Sequence, residues 1–208
     1  MPRRLAWVAL ALACCLALAG CGDSQDTAGD DGGSTTSTPV ATTGVSAEGL
    51  EPIPTNGPGE SAALVALPAA LEQGRQEAAT AGEPWPDLTG AKPILQAYLV
   101  RVTMGDEAAL LEVRADGTPH NLHAYQKAFD AGSLLWVPED DLQTSTAAPQ
   151  SDAEKAAVAA VEEDMADAFP DEALETAVHG YRFVYVRDEM IVLTVEIDPA
   201  GGVISVGS

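Results

Sequence analysis

Two stretches of alternating residues, one beginning at Tyr98 and the other at Tyr181, constrain the fold of this chain most strongly. The first reads YLVRVTMGDEAALLEVRADG and the second reads YRFVYVRDEMIVLTVEIDPAGG. Apolar and polar residues alternate in both, which predicts β-strands, and pairs containing Gly or Asp stand where antiparallel hairpins turn. With one residue deleted, Asp106-Glu107 aligns with Asp188-Glu189. We interpret the two stretches as copies of one unit; the alternative is that hairpins share this pattern in general.

A helix is predicted before the first stretch. Leu64, Leu67 and Leu71 recur at helical spacing, and Gly82 is a suitable residue to end the helix. Pro68 lies inside this pattern, so the helix either begins there, with the proline in its first turn, or is kinked. Trp85 stands between two prolines in the loop that follows, and we expect its ring to pack at the edge of the core.

A second helix is predicted before the second stretch. Ser151 and Glu154 have the spacing of a capping box, which is typical of a helix N-terminus, and Pro170 ends the pattern. Residues 171–178, DEALETAV, can form a further short helix. The apolar face of the main helix consists of Val158, Val161, Met165 and Phe169.

These patterns predict an α+β fold with two helix-plus-antiparallel-meander units. The first unit covers residues 60–142, in which a short strand at 133–137 follows the meander, and the second covers residues 151–208. The intervening residues 143–150 form a short linker. Because a small antiparallel sheet must bury one apolar face, we expect each helix to cover the sheet of its own unit.

The N-terminal segment, residues 1–20, has the pattern of a secretory signal peptide. Arg3 and Arg4 precede an apolar stretch, residues 5–18, that is too short to span a bilayer. The segment ends in Leu-Ala-Gly and is followed by Cys21, which resembles the lipobox of bacterial lipoproteins. The resemblance implies cleavage before Cys21, diacylation of its thiol and anchoring at the extracytoplasmic face of the cell membrane. The alternative is an ordinary signal peptide followed by a chance cysteine.

Residues 21–59 are predicted to be a disordered linker behind that lipidated cysteine. The segment is rich in Gly, Ser, Thr, Asp and Pro and has no aromatic residue, so it cannot bury enough apolar surface to offset its ordering entropy. Cys14 and Cys15 lie inside the signal peptide and would leave with it. The mature chain would then hold no free thiol and no disulfide, which excludes a redox role and a cysteine-ligated metal.

The net charge of the chain restricts its partners. There are 32 acidic residues against 10 basic ones, and two of the basic residues lie in the signal peptide, so the mature charge is near −24. A surface this acidic repels nucleic acid and anionic lipid, and the lipid anchor must therefore hold the protein to the membrane. Basic proteins, cations and neutral ligands remain compatible with the charge.

The order of elements in the second unit carries a further resemblance. A helix and three strands that end in DPAGGVISV resemble the PepSY domain of exported bacterial proteins. The tandem of helix-plus-sheet units resembles the proteinaceous β-lactamase inhibitors, although those usually carry disulfides. Both resemblances rest on topology, and both imply a non-enzymatic binding or regulatory module.

Few residues have the spacing of a chemical site. His120 and His123 lie three apart, so in a strand they would point to opposite faces and could not share a metal ion. On a helical turn they could share one, with a third ligand such as His179 or an acidic residue. The Asp-Glu pairs at 106–107 and 188–189 are expected at solvated hairpin tips, and the acidic stretch 138–141 lacks the pattern of a calcium loop. We predict no catalytic residue, no metal site and no cofactor.

Four aromatic residues are the candidates for a partner-binding surface. Three of them share one face of a predicted strand, where such a stripe forms either part of the core or a surface for a partner. These candidates are Trp136, Tyr181, Phe183 and Tyr185.

The sequence thus predicts a membrane-anchored, extracytoplasmic lipoprotein that acts as a non-enzymatic binding or regulatory module on an envelope protein. The alternative is an extracytoplasmic enzyme or a solute-capturing lipoprotein. An exposed apolar or aromatic patch over a filled core would favour the first reading. A deep pocket lined by convergent polar groups would favour the second.

Overall fold

A computed structural model describes residues 45–122, 128–142 and 144–207, and these all belong to one compact unit. Helices and an antiparallel sheet build this unit, so the α+β class predicted from the sequence is confirmed. Single turns of 3-10 helix occupy Ala131–Ser133 and Glu139–Asp141. The helices and strands are β1 (Val45–Ser46), α1 (Pro58–Ala81), β2 (Lys92–Met104), β3 (Glu107–Arg114), β4 (Pro119–Asn121), β5 (Val137–Pro138), α2 (Asp152–Ala168), β6 (Leu174–Arg187), β7 (Met190–Ile197) and β8 (Val203–Gly207).

All eight of these strands belong to a single sheet, with β2 and β6 antiparallel at its centre. On one side of the centre β3 follows β2, and both β4 and β5 pair with β3; on the other side β7 follows β6, and both β8 and β1 pair with β7. In the central pair Tyr98 lies directly opposite Tyr181. The two predicted meanders are therefore neighbours in one sheet, and residues 60–142 and 151–208 are not separate layers.

The contacts of the two helices also connect the two meanders. α1 contacts β7 and β8, while α2 contacts β6, β2, β3 and β4. The expectation that each helix covers the sheet of its own unit is therefore wrong for α1, whereas α2 covers β6 of its own unit together with strands of the other. Separate sheets would leave the long strands β2 and β6 as edges with unpaired backbone groups, and pairing them removes that exposure. Each helix then lies across a sheet that both meanders build.

Helix α1 begins earlier than its leucines suggest and continues through Pro68. Its side toward the sheet consists of Glu60, Ala63, Leu67, Ala70 and Gly74. Leu64 points away from the core and is 38% exposed. Pro68 lacks the N–H that would bond the carbonyl of Leu64, and since both residues are on the solvent side, water can satisfy that carbonyl. The helix ends at Gly82, which adopts the left-handed conformation with φ 73°.

Helix α2 begins at the predicted capping box. The Ser151 hydroxyl accepts from the Glu154 N–H at 3.0 Å, and the Glu154 carboxylate accepts from the Ser151 N–H at 2.9 Å. Val158, Val161 and Met165 are buried as expected. The short helix predicted for residues 171–178 does not form, because β6 begins at Leu174 and extends the ladder with β2.

The hairpin turns lie where the alternating pattern is interrupted. β2 and β3 meet at Gly105, which has φ 62°, and the pair Met104 and Glu107 closes the turn. β6 and β7 meet at Asp188 and Glu189, with φ 50° and 62°. Trp85 packs against the core, and Gly74 gives its ring room: a Cβ on Gly74 would lie 3.0 Å from it.

Candidate functional site

Two β-bulges in the central strand pair place polar side chains in the interior. The register between β2 and β6 shifts once between Leu95 and Ala97, and Gln96 is the extra residue. It shifts again where Gly180 and Val178 flank His179. Gln96 stands two residues before Tyr98, and His179 stands two residues before Tyr181. A bulge of this kind turns a side chain away from the face that the alternation of the strand would give it. Each of the two central strands contains one such bulge.

The bulge in β6 is closed by the protein itself. His179 is only 1% exposed, and the Thr144 hydroxyl lies 3.0 and 3.1 Å from the two nitrogens of its ring. Burial and the nearby Arg101 charge lower the pKa of His179 to about 4, so the imidazole is neutral at physiological pH. Arg101 in turn pairs with Glu139 at 3.2 Å and donates to the Thr146 hydroxyl at 3.4 Å. We call this arrangement the His179 site.

The bulge in β2 is open to a cleft. Gln96 is 6% exposed, and its Oε1 atom is buried without a hydrogen-bond partner among the residues that the structure describes. It lines a cleft of about 460 Å³ between the segment 45–51, residues 114–116 at the end of β3, and Ile191 of β7. We call this the Gln96 cleft. Its volume lies in the range of small-molecule sites, roughly 300–1,000 Å³.

A buried ionic network lies beside the cleft. Arg182 donates to Glu196 at 2.7 and 2.9 Å and also pairs with Glu112, which is fully buried. Glu112 pairs in addition with Arg114, whose Nε donates at 2.8 Å. Ser205 donates to the second oxygen of Glu196 at 2.8 Å. Two guanidinium groups thus meet two carboxylates, and the charges of the network cancel.

The Gln96 cleft is acidic once this network is taken into account. Arg114 is the only basic residue among the described residues that line the cleft, and its charge is matched by Glu112. The carboxylates of Glu48, Glu51 and Asp116 remain without such a match in the lining. Apolar contact comes from the segment 45–51 and from β7. The cleft therefore offers negative charge and apolar walls, and the Gln96 amide beside it has an Oε1 atom that is buried.

A second buried polar cluster joins the N-termini of the two helices. The Tyr98 hydroxyl donates to Glu60 at 2.8 Å, and the Tyr181 hydroxyl donates to Glu154 at 2.6 Å. The Ser151 hydroxyl also donates to Glu60, at 2.7 Å, and the two tyrosine rings meet edge to face at 6.1 Å. Burial and the carboxylate partners raise the pKa of both tyrosines, so they stay protonated donors. This cluster fastens both helices to the central strands.

The aromatic candidates do not form a partner surface. Tyr181, Phe183 and Tyr185 lie in the core with exposures of 1%, 0% and 6%, because their strand face packs under the helices. Trp136 is half-buried and packs edge to face on Phe169, with ring centroids 5.8 Å apart. Tyr181, Phe183 and Tyr185 are thus core residues, whereas Trp136 lies at the edge of the core and stays partly exposed.

The remaining sequence candidates are dispersed. His120 lies in β4 and is 8% exposed, whereas His123 lies outside the described residues, as do Cys21 and all of residues 1–44. In the part of the chain that the structure describes, no three His, Cys, Asp or Glu residues come together as a metal site. The Asp-Glu pairs at 106–107 and 188–189 are exposed at hairpin tips, as expected.

Sequence reasoning missed Gln96 and Arg114. The available signal was a single glutamine inside the apolar run ILQAYLV, two residues before the first aligned tyrosine. A polar residue within a buried strand normally has a hydrogen-bond partner. Here a β-bulge instead turns Gln96 away from the regular alternation of the strand.

Comparisons with protein-family models, with curated proteins and with solved structures find no match to this chain. Within residues 45–122, 128–142 and 144–207, neither helix is long and apolar enough to cross a membrane.

Proposed function

We propose that this chain is a lipoprotein anchored through Cys21 at the extracytoplasmic face of the cell membrane, and that residues 45–207 act as a non-enzymatic binding module. The membrane part rests on the lipobox-like sequence. Because the acidic charge gives no electrostatic attraction to anionic lipid, the anchor would have to supply the attachment. The prediction of a linker over residues 21–59 is wrong for residues 45–59, because Val45–Ser46 pair with β7 and Ile53 is buried in the core. The remaining predicted linker, residues 21–44, would let the module reach ligands away from the lipid surface.

One observation carries the binding role: a nearly buried amide, Gln96, has an acceptor without a partner and lines an open cleft. Leaving a buried polar atom without a hydrogen-bond partner lowers the stability of the fold by about 1–3 kcal/mol, so such an atom needs an explanation. Because Oε1 itself has no accessible surface, a ligand in the cleft would recover that cost by drawing the amide toward it.

The fold is, in our proposal, an internal duplication of a β-α-β-β-β unit, with copies at residues 45–122 and 137–207. Support comes from equivalent residues that make equivalent contacts at constant offsets. Residues up to the helix N-terminus are offset by 94, as in Ile53 and Ala147, Gly57 and Ser151, and Glu60 and Glu154. Residues of the central strands are offset by 83, as in Leu95 and Val178, Gln96 and His179, and Tyr98 and Tyr181.

The two copies would then have divergent sites at their bulges. Counted back from the pair Ile53 and Ala147, Leu50 corresponds to Thr144. The Thr144 hydroxyl lies within hydrogen-bond distance of the His179 ring in one copy, whereas the Leu50 side chain has no polar group to offer Gln96 in the other. One site is used for stability and the other is free for a ligand.

A cut between the copies tests the interlocked arrangement. A protease site inserted after Leu135, which is 78% exposed, would separate the copies covalently. The cut protein should still elute as one species, because β2 pairs with β6 and each helix packs on strands of the other copy. Two folded fragments that separate in native buffer would instead restore the division into units 60–142 and 151–208.

The same cleft also supports a second candidate function, which is the capture of a small solute. Its size suits a small solute, whereas an envelope protein would need a broader surface around it. A solute-capturing lipoprotein is therefore the alternative to a module that binds a protein partner.

Cross-linking in living host cells tests the proposed function. Tagged full-length chain is compared with Cys21→Ala, with Glu48→Lys at the cleft and with Glu163→Lys, a matched charge reversal on the exposed side of α2. We expect the wild type and Glu163→Lys in the membrane fraction with one dominant captured species. Glu48→Lys should lose that species, and Cys21→Ala should lose the membrane location. Equal capture by all variants would overturn binding through the cleft, and a membrane-bound Cys21→Ala would overturn the anchor.

A further inference from the structure

We propose that a small neutral molecule, with an aliphatic body and one hydroxyl or amide group, binds in an apolar cavity at the outer edge of strand β3. This site is separate from the Gln96 cleft, so the inference goes beyond the proposed function. Two observations carry it. One residue of β3 has backbone groups that face a gap between two partner strands, and the cavity encloses that gap.

The outer edge of β3 is paired at both ends but not in the middle. Strand β4 pairs with residues 111–113, and strand β5 pairs with residues 107–108. Between these two ladders lie Ala109 and Leu110, and no described strand pairs with them on this side of β3. The alternation of the ladder decides which of the two faces the gap.

The backbone N–H and C=O of Leu110 point toward the gap. In an antiparallel pair, every second residue of a strand bonds to the neighbour on a given side. Pro119 lies opposite Val113, and a proline has no N–H for a hydrogen-bonded pair. Pro138 lies opposite Glu107 and gives the same constraint. The odd-numbered residues of β3 therefore bond to β2, and the even-numbered residues face the outer edge.

A hydrogen bond at the start of β3 confirms this alternation. The Glu139 N–H donates to the Asp106 carbonyl at 2.9 Å, so the even-numbered side faces β5. Residues 108 and 112 lie in the ladders with β5 and β4, and Leu110 is the edge-facing residue between them. Its N–H and C=O can bond a ligand as they would bond a residue of a neighbouring strand.

The cavity around this gap has a volume of about 260 Å³ and apolar walls. Its two polar side chains are engaged within the protein. The Asn121 amide exchanges hydrogen bonds of 2.9 and 3.2 Å with the Asp130 backbone, and the Ser133 hydroxyl donates to the Asp130 carboxylate at 2.6 Å. The apolar walls come mainly from Leu110, Leu122, Leu134, Leu135, Val137 and Leu142.

This lining selects a neutral ligand with an aliphatic body. None of the described side chains that line the cavity is charged, so a carboxylate or an ammonium group would lose its hydration there without an opposite charge. Leucine-lined cavities of about 150 Å³ bind apolar molecules the size of benzene, and this one is larger. A hydroxyl or a primary amide can accept from the Leu110 N–H and donate to its carbonyl.

A polypeptide strand does not fit the same gap. Residues 108 and 112, which pair with β5 and β4, are four residues apart, a distance of about 14 Å along β3. A docked strand would run into β4 at one end and β5 at the other. The occupant is therefore a small molecule with one hydrogen-bonding group.

An NMR titration of the full-length chain in phospholipid nanodiscs tests the inference. The probes share a six-carbon body: 1-hexanol and hexanamide are neutral, and hexanoate and hexylammonium are the charged controls. We expect the neutral probes to shift the amide proton resonance of Leu110 in a saturable way, because its N–H gains a hydrogen bond. The charged probes should leave that resonance in place. A resonance that no neutral probe moves, or that all four probes move alike, would overturn the inference.

Three variants assign the binding to this cavity. Leu135→Ala shortens a wall side chain that is 78% exposed, so the fold should persist while hexanamide binds about fourfold more weakly, the contribution of one buried methylene group. Val65→Ala, at an 81% exposed position on α1, is the matched control and should bind as the wild type does. Glu48→Lys at the Gln96 cleft should also leave the affinity unchanged. Equal affinity of Leu135→Ala and Val65→Ala, or a loss in Glu48→Lys, would contradict the assignment.

Discussion

The His179 site and the Gln96 cleft occupy equivalent places on the two central strands, but the first is closed and the second is open. In the first, Thr144 and Arg101 surround the bulged side chain and close the space around it. In the second, Leu50 and Val184 stand at the corresponding positions, and an open volume remains. A fold that makes the same bulge twice can thus close the space around one bulge and leave a cleft beside the other.

The N-termini of the two helices also differ in how completely their glutamates are hydrogen-bonded. Glu154 is fully engaged, since its oxygens accept from Tyr181 and from the N–H groups of Gln150 and Ser151. One oxygen of Glu60 is engaged by a tyrosine and by Ser151, but its Oε2 has no partner among the described residues. The half that carries the open cleft is thus also the half with less complete hydrogen bonding.

The largest effect on stability is expected from a substitution at Arg182. The residue of β2 that corresponds to Arg182 is the buried Leu99, so a leucine here makes the two central strands more alike. Arg182→Leu leaves the carboxylates of Glu112 and Glu196 buried without their shared cation, and we expect a loss of about 3–5 kcal/mol in the free energy of unfolding. Urea denaturation measures it. The triple variant that adds Glu112→Gln and Glu196→Gln should recover much of the loss, and no recovery would mean that the network acts through shape rather than charge.

A pH titration sharpens the contrast between the two bulges. The pKa of His179 falls from an unfolded value near 6.5 to about 4, so between these values the unfolded chain binds more protons. Stability is therefore complete above pH 6.5 and is lost as the pH falls towards 4, by about 3 kcal/mol. His179→Gln, which copies the residue at the other bulge, should remove this part of the slope in urea midpoints. Parallel curves for the two proteins would contradict the assignment.

Gly57→Ser copies the N-cap of α2 onto α1. Serine is among the best N-cap residues, yet a Cβ at Gly57 would lie 2.0 Å from Glu60 Oε2 and 2.7 Å from the Ser151 Cβ. We expect the overpacking to outweigh the cap and to cost about 2 kcal/mol, measured by thermal unfolding. A variant at least as stable as the wild type would mean that the two helix N-termini have room to move apart.

The smallest effect on stability is expected at the open bulge. Gln96→Leu removes a buried acceptor that has no described partner, so stability should stay equal or rise by up to about 1 kcal/mol. Differential scanning calorimetry of the unliganded protein measures this change. A loss larger than about 1 kcal/mol would show that the amide contributes to the fold, and the contrast with the His179 site would then fail.

Several elements of this fold were readable without a structure because their signals are local. Alternation gave β2, β3, β6 and β7, the interruptions gave their hairpins, and Ser151 with Glu154 gave the start of α2. Tyr98 and Tyr181, which begin the two aligned stretches, face each other at the centre of the sheet, but the alignment did not predict that pairing. Residues 171–178 were misread as helix, because a weakly alternating segment takes its conformation from the neighbouring strand.

The sequence by itself determined where strands turn, where helices are capped and how strongly acidic the surface is, since these depend on neighbouring residues and on composition. Only the tertiary structure decided that both meanders share one sheet, that Tyr181, Phe183 and Tyr185 are core, and that a bulge turns Gln96 into a cleft. The physical reason is that backbone hydrogen bonds are the same for any partner strand. The choice of partner, and with it the site, depends on packing between residues far apart in the chain.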